Sequence, residues 1–142
     1  SSFLWSGGHI PIFVNSLLKD EEIIIHGDGS QTRSMAYVSD LVDGTILAME
    51  NEAAIGQIIN IGNDEEMSVL ESAKLIHKLI GSKEELKLNF IPFEKIFGED
   101  FKDIQRRVPD LSKARKILGY HPNITLESAI IETIEKLKSH NK

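Results

Sequence analysis

Hydrophobic residues recur along this chain at two spacings, one typical of helices and one typical of strands. Near the start an apolar residue falls at every third or fourth position, which predicts an amphipathic helix with Pro11 in its first turn. Residues 22–26 are a short β-branched run that stops at Gly27-Asp28-Gly29, which predicts a strand followed by a glycine turn. The expected inner face of the helix comprises Ile10, Phe13, Val14, Leu17 and Leu18.

Four further segments have helical spacing and recognisable ends. A helix is expected over residues 40–50, with Ser39 or Asp40 as its N-cap. Its apolar residues Val42, Ile46 and Met49 share one face. The other predicted helices are one that starts at Ser68 with capping-box spacing to Glu71 and stops at Gly81, a short one between Asp110 and Gly119, and a last one over 126–138.

Two more segments are typical of strands. Residues 57–61 predict a buried strand, and the alternation within 86–91 predicts a half-exposed one. Residues 92–108 look irregular, with Phe97 and Phe101 expected to anchor that loop to the core. Helices and strands alternate, so we expect an α/β or α+β fold, with a small sheet and about five helices in one domain over residues 1–142.

Composition removes several classes of function. The 16 Lys and Arg against 22 Asp and Glu give a net charge of −6, which disfavours a nucleic-acid partner. With no cysteine, disulfides, thiolate zinc sites and a Cys nucleophile are excluded, and no spaced ligand set for a metal is present. No apolar run is long enough to cross a membrane and no basic region precedes an apolar core, so a cytoplasmic location is expected.

Two loops carry arginines suited to an anion. Arg33 follows the glycine turn, and Arg106-Arg107 lies about seventy residues later. A guanidinium group can bind a phosphate through two parallel hydrogen bonds. If the fold brings the loops together, they would hold a diphosphate from two sides. The alternative for each loop alone is a turn whose arginines are simply solvated.

Five segments of the chain together carry a family resemblance. They are residues 27–44 (GDGSQTRSMAYVSDLVDG), 60–63 (NIGN), 68–73 (SVLESA), 107–114 (RVPDLSKA) and 118–122 (LGYHP). In order and spacing they resemble the NAD-dependent epimerase/dehydratase branch of the extended short-chain dehydrogenase/reductases. The resemblance extends over roughly residues 7–138, and the sequence looks most like enzymes such as UDP-glucuronate decarboxylases and dTDP-glucose dehydratases.

The resemblance also shows what these residues lack. The family has an N-terminal Rossmann half with a Gly-x-x-Gly-x-x-Gly loop for NAD and a Tyr-x-x-x-Lys pair for acid/base chemistry. Neither occurs here, since Leu41 and Ile124 follow the two tyrosines at the lysine position. The chain, which begins without Met, therefore resembles the C-terminal, substrate-binding portion of such an enzyme. We expect no catalytic residues, no bound NAD and no turnover from this portion alone.

The resemblance implies a set of substrate-binding residues. Arg33 and Arg107 would bind the nucleotide diphosphate, with Arg106 as the alternative to Arg107. Ile24 and His26 would flank the base or ribose, although His26 stands where the family often has another aromatic residue. The helix entry would line the same pocket through His9 and Pro11, after Gly7 and Gly8, and Trp5 would be a pocket wall or a packing residue.

The leading hypothesis is therefore the nucleotide-sugar-binding part of an NAD-dependent epimerase/dehydratase. The first alternative is a non-catalytic nucleotide-sugar-binding or regulatory module. The second is an acidic helical interaction domain whose resemblance is accidental. Because apolar faces made for an N-terminal half would be bare, we also expect homodimer formation or self-association of this chain.

Overall fold

The computed structural model describes residues 8–140. The expectations for Trp5 and Gly7 fall outside the described residues. Within them the chain forms two compact units. The first comprises residues 8–31, 68–105 and 130–140, and the second comprises residues 32–67 and 106–129.

The described residues contain six α-helices, one short 3-10 helix at Glu52–Ala54 and five short strands. None of these helices combines the length and apolar character needed to cross a bilayer. The helices are α1 (His9–Leu18), α2 (Val38–Glu50), α3 (Val69–Ile80), α4 (Phe93–Phe97), α5 (Ser112–Leu118) and α6 (Leu126–His140). The strands are β1 (Ile23–His26), β2 (Thr32–Ser34), β3 (Glu66–Ser68), β4 (Leu88–Ile91) and β5 (Arg106–Arg107).

In the first unit, α1 and α3 pack on β1, which pairs in parallel with β4. The side chains of β1 alternate, so Ile23 and Ile25 are buried while Ile24 and His26 are exposed. The predicted face of α1 is confirmed, because Phe13, Val14 and Leu17 are all buried. This core also contains Val69, Ala73, Ile76, Ile130 and Ile134.

The ends of α3 are those predicted from the sequence. The Ser68 hydroxyl accepts a hydrogen bond from the Glu71 N–H, and the Glu71 carboxylate accepts one from the Ser68 N–H. At the other end, Gly81 has a φ of 72° and closes the helix in the left-handed conformation. The capping box and the glycine stop are therefore both confirmed.

The second unit is built on the three-stranded sheet β3-β2-β5 and on the packing of α2 and α5. Its core centres on Tyr120, whose hydroxyl donates to the Gly62 carbonyl at 2.7 Å. Gly44 of α2 lies against this core, and a Cβ at that position would come within 2.4 Å of Ile61 Cγ2. Only glycine fits there without displacing a neighbour. The cluster includes Leu111, Ala114 and Leu118.

The strand predicted over residues 57–61 is wrong, because that stretch forms no strand and finds no ladder partner among the described residues. Ile58 within it is 88% exposed. High β-propensity gives a strand only where a neighbouring strand supplies hydrogen bonds. The strands β2, β3 and β5 were not predicted at all, since each is only two or three residues long.

The predicted N-cap of α2 is also wrong. The helix begins earlier, at Val38, after Tyr37, and neither Ser39 nor Asp40 caps it. The Asp40 carboxylate is buried and instead accepts hydrogen bonds from the Asn123 and Ile124 N–H groups at 3.0 and 3.1 Å. Asp40 lies in the first turn of α2, but its carboxylate stabilises a loop that is distant in sequence.

Candidate anion-binding site

Arg33 and Arg107 are register partners in the parallel pair formed by β2 and β5. Paired residues on neighbouring strands project from the same face of a sheet, so both guanidinium groups leave the same side. Arg33 is 9% exposed and donates to the Thr32 carbonyl at 2.8 Å, whereas Arg107 is exposed. The two arginine-bearing loops are thus brought together by main-chain pairing.

The opposite face of the same sheet is neutralised by a carboxylate. Glu66 on β3 accepts hydrogen bonds from the Thr32 hydroxyl and from Arg106, whose guanidinium lies 2.9 Å from the carboxylate. Arg106 makes this contact through two nitrogens, Nε and Nη2. The hydrogen bond from Thr32, and then the one from Arg106, lower the pKa of Glu66. Arg106 therefore forms an ion pair with Glu66 at the protein surface.

Arg107 differs from Arg106 in its contacts. Within residues 8–140 no hydrogen bond or ion pair involves its side chain. It lines an open cleft of about 370 Å³ in the second unit. Among the residues that the structure describes, no carboxylate lines this cleft. The other lining residues are Ser34, Ala36, Leu41, Asn60, Ile61, Gly62, Asn63, Val108 and Pro109.

The two asparagines of the cleft are held by the protein. The Asn60 amide donates to the Asp110 carbonyl at 3.2 Å, and the Asn63 amide donates to the Ile124 carbonyl at 3.3 Å. Asp110 itself accepts from the Ser112 N–H, which lowers its pKa, whereas the N-cap position of α5 is occupied by Leu111. Arg107 is the one cationic side chain among the described residues of this cleft, so the cleft is suited to an anion.

The other predicted binding residues lie in the first unit. Ile24 and His26 share the exposed face of β1. The His26 ring contacts Phe93 and Phe97 edge-on, with centroid separations of 6.5 and 5.8 Å. Phe97 and Phe101 stack at 4.4 Å and are both exposed, so the expectation that they anchor a loop in the core is wrong. They belong to a surface aromatic cluster that includes α4, a helix not predicted within residues 92–108.

The start of α1 has the predicted form but its histidine is engaged. Pro11 lies in the first turn, where its lack of an N–H has no cost. His9 Nε2 lies 3.1 Å from the Ser72 hydroxyl, which in turn donates to the Val69 carbonyl at 2.7 Å. Ser72 is therefore an acceptor for His9, and this contact joins α1 to α3. His9 and Pro11 remain predictions as ligand contacts.

The glycine turn after β1 does not offer a cradle for the pyrophosphate of NAD. A Cβ on Gly27 would lie 2.4 Å from the Phe93 ring, and one on Gly29 would lie 3.1 Å from Leu70 Cβ. Hydrophobic side chains already cover both glycines, although φ is +75° and +76° there. Glycines that bind NAD instead let the protein backbone approach the pyrophosphate closely. This glycine turn therefore does not fit the pyrophosphate of NAD.

Among the described residues, no group of three or more His, Asp or Glu side chains could hold a metal ion. The ring of His77 lies 2.8 Å from the Glu84 carbonyl, a contact within the first unit.

Glu66 and Phe93 were missed by sequence reasoning. Glu66 pairs with Arg106 rather than with Arg107, and the Phe93 ring packs against Gly27 in the glycine turn. The alternation of Thr32 and Arg33 along an unrecognised strand was the available signal for Glu66, because it places them on opposite faces. For Phe93 the sequence offered no specific signal.

Comparisons with known proteins agree on one family. Residues 7–133 match the family model described as GDP-mannose 4,6 dehydratase. The chain is 41% identical over 128 residues to a UDP-N-acetyl-alpha-D-glucosaminuronate decarboxylase of Bacillus cytotoxicus, covering 90% of this chain and 39% of that protein. The chain thus spans about two fifths of the length of this relative.

Solved structures give the same result. A UDP-glucose 4-epimerase of Thermotoga maritima, solved with UDP-glucose, superposes with a TM-score of 0.81 at 28% identity, over 96% of this chain and 41% of that one. A UDP-glucuronic acid 4-epimerase of Bacillus cereus, in complex with UDP-glucuronic acid and NAD, gives 0.77 at 30% identity, over 92% and 40%. The resemblance is therefore not accidental, and the chain belongs to the NAD-dependent epimerase/dehydratase family of extended short-chain dehydrogenase/reductases, of which it matches the C-terminal part.

Proposed function

We propose that this chain is the nucleotide-sugar-binding part of an NAD-dependent epimerase/dehydratase and that it binds the diphosphate of its substrate. The observation that carries the proposal is the placement of Arg33 and Arg107 as register partners on one face of the β2–β5 pair. Two like charges side by side repel each other, so an anion between or above them relieves that repulsion.

Arg107 is the residue that meets the ligand most directly. Its side chain is exposed, lines the cleft and has no ion-pair partner within residues 8–140. A guanidinium group offers parallel N–H donors that match two phosphate oxygens. Arg33, which is more buried, adds a second positive charge on the neighbouring strand. The names of the relatives, which include decarboxylases and epimerases of UDP-sugars, favour a UDP-sugar as this nucleotide sugar.

The glycine turn, which is covered by Phe93 and Leu70, is assigned no NAD contact in this proposal. The contacts of Ile24 and His26 with the base or ribose, and of the first turn of α1 with the ligand, stay predictions from the resemblance. Binding energy supplied by this part of the enzyme would orient a sugar whose reacting carbon is held by other residues. We expect the purified chain to convert no UDP-sugar when NAD is supplied; an epimerised, dehydrated or decarboxylated UDP-sugar detected by chromatography would contradict this part.

Calorimetry on the 142-residue chain tests the binding proposal. UDP-glucuronic acid is titrated into the unaltered chain and into Arg107→Ala and Arg106→Ala variants. Arg107→Ala should weaken binding by ~1.5–3 kcal/mol, the scale of a hydrogen bond to a charged group. Arg106→Ala is the matched control, because the Arg106 guanidinium is already paired with Glu66. Equal affinity of Arg107→Ala and the unaltered chain would refute the assignment.

A further inference from the structure

A second cleft lies in the first unit and has a different chemical character from the arginine cleft. Its volume is about 680 Å³, within the usual range of ~300–1,000 Å³ for small-molecule sites. It is formed where the glycine turn after β1, the end of β4 and the start of α4 meet. The lining residues are Gly27, Asp28, Phe90, Pro92, Phe93 and Glu94.

The apolar wall of this aromatic cleft is held in place from behind. The Phe93 ring lies against Gly27, where no side chain intervenes. It is also packed against Phe101 and Phe97, with centroid separations of 5.7 and 6.4 Å. Phe90 is 46% exposed at the same cleft. Two aromatic rings are thus kept in contact with solvent, an arrangement that favours a ligand able to cover them.

The charged groups of the aromatic cleft are both acidic. Asp28 accepts hydrogen bonds from the Ser30 N–H and hydroxyl at 2.9 and 2.6 Å, which fix its carboxylate and lower its pKa. Glu94 supplies the second carboxylate from α4. In the part of the chain that the structure describes, no Lys, Arg or His side chain lines this cleft.

This combination selects the chemistry of the ligand. A phosphate or carboxylate would be repelled by Asp28 and Glu94, and a neutral apolar group would desolvate them without replacing their hydrogen bonds. A cation on an apolar stem satisfies both features, because its head pairs with carboxylates while its stem and charge lie against aromatic faces. We propose that the aromatic cleft binds an organic cation with an apolar stem, namely an alkylammonium or alkylguanidinium group.

Such a group can come from a free amine or from a Lys or Arg side chain of a polypeptide. Three probes separate these sources in titrations of the 142-residue chain followed by NMR. They are n-butylammonium, the peptide N-acetyl-Gly-Lys-Gly-amide, and the same peptide with norleucine in place of Lys. Saturable chemical-shift changes at Gly27 and Phe93 are expected with both cations. The affinity for the norleucine peptide should be at least about fivefold lower.

The comparison between the two cationic probes assigns the source. Equal affinity for both supports recognition of head and stem alone, as expected for a free amine. Tighter binding of the Lys peptide supports a basic segment of a partner polypeptide. Equal affinity for the norleucine peptide and the Lys peptide would overturn the proposal, since charge would then have no part in binding.

Variants test the carboxylates directly. A double variant with Asp28→Asn and Glu94→Gln keeps the acceptor oxygen for Ser30 but removes both charges, and it should weaken n-butylammonium binding about tenfold. The matched control carries Glu50→Gln and Glu135→Gln, two exposed carboxylates outside the cleft, and should bind as the unaltered chain does. Glu94→Gln alone, expected to leave the melting temperature unchanged, covers the case in which Asp28→Asn disturbs the turn. Unchanged affinity in Glu94→Gln and in the double variant would contradict the proposal.

Discussion

Arg33 and Arg107 occupy the same register on two paired parallel strands, although about seventy residues of sequence separate them. This pairing places on one face of a sheet two arginines from loops that separately look like solvated turns. It also means that the two arginines should act together on a ligand. Their contributions to binding are therefore expected to be coupled rather than independent.

A double-mutant cycle measures that coupling. We expect Arg33→Ala and Arg107→Ala each to weaken UDP-sugar binding by ~1.5–3 kcal/mol, and the double variant to lose less than the sum. Calorimetry on all four proteins gives the coupling energy. Arg33 is mostly buried, so its variant is first checked by thermal unfolding. Strict additivity would show that the two guanidinium groups do not share one ligand.

The lowered pKa of Glu66 predicts how the stability of the chain depends on pH. The hydrogen bond from Thr32 and the contact with Arg106 lower its pKa in the folded chain. A carboxyl group whose pKa is lowered on folding stabilises the fold above its unfolded pKa, and this stabilisation is lost as the pH falls through the folded pKa. The free energy of unfolding, measured in urea at about pH 6 and about pH 3, should therefore fall more on acidification for the unaltered chain than for Glu66→Gln.

The control for that measurement is Glu135→Gln. Glu135 is exposed, and no hydrogen bond or ion pair engages it within the described residues, so its variant should keep the pH dependence of the unaltered chain. The lowered pKa values of Asp28, Glu71 and Asp110 act in the same direction in all three proteins. If Glu66→Gln loses as much stability on acidification as the unaltered chain, the Glu66 contact is not formed in solution.

Gly44→Ala should destabilise the chain despite the higher helix propensity of alanine. The new methyl would approach Ile61 Cγ2 to 2.4 Å and Tyr120 Cε2 to 2.9 Å. Overpacking of this kind costs about 1–3 kcal/mol, more than the ~1 kcal/mol gained in helix propensity. Thr45→Ala on the exposed side of α2 is the control and should be nearly neutral. Denaturant unfolding of both variants distinguishes a packing clash from a propensity effect.

The capping box at the start of α3 gives a further stability prediction. Ser68→Ala removes an acceptor for the Glu71 N–H and should cost about 1 kcal/mol. Glu71→Gln keeps an oxygen that can accept from the Ser68 N–H and should cost less. Unfolding at neutral pH measures both. A larger loss for Glu71→Gln than for Ser68→Ala would mean that charge, rather than capping geometry, stabilises this end.

Self-association of the chain remains a prediction, and the second unit supplies residues that can test it. Met49 and Ile58 are 81% and 88% exposed. Burying such side chains in an interface contributes roughly 1.5–3 kcal/mol each, so Ile58→Lys should weaken association about tenfold or more. Sedimentation of that variant is compared with His121→Lys, which adds the same charge at another exposed position. Equal association in the two variants, or a monomer at all concentrations of the unaltered chain, would count against the prediction.

Elements with strong local signals could be predicted from the sequence. The apolar face of α1, the capping box at Ser68 and the stop at Gly81 each depend on residues a few positions apart. Elements that depend on distant partners could not. The stretch at 57–61 has the composition of a strand but lacks a neighbour in the described residues, while β5 is a strand of two residues created by its pairing with β2.

The site shows the same division. The resemblance pointed to Arg33 and Arg107, and the register of two unrecognised strands places them side by side. It could not show that Arg106 is paired with Glu66, because that contact spans 40 residues. The prediction that Asp40 caps α2 failed for a related reason. An acidic residue near the start of a helix looks like a cap, and only the tertiary structure reveals the Asn123 and Ile124 N–H groups that donate to it.

Glu66 touches no candidate ligand, yet it determines how many positive charges the β2–β5 pair presents. Replacing it with a neutral residue would release Arg106 and leave three arginines on two short strands, without altering any of them. Because Arg106 lies on the face opposite Arg33 and Arg107, a single substitution on the third strand can change the charge of that second face while leaving the first face as it is.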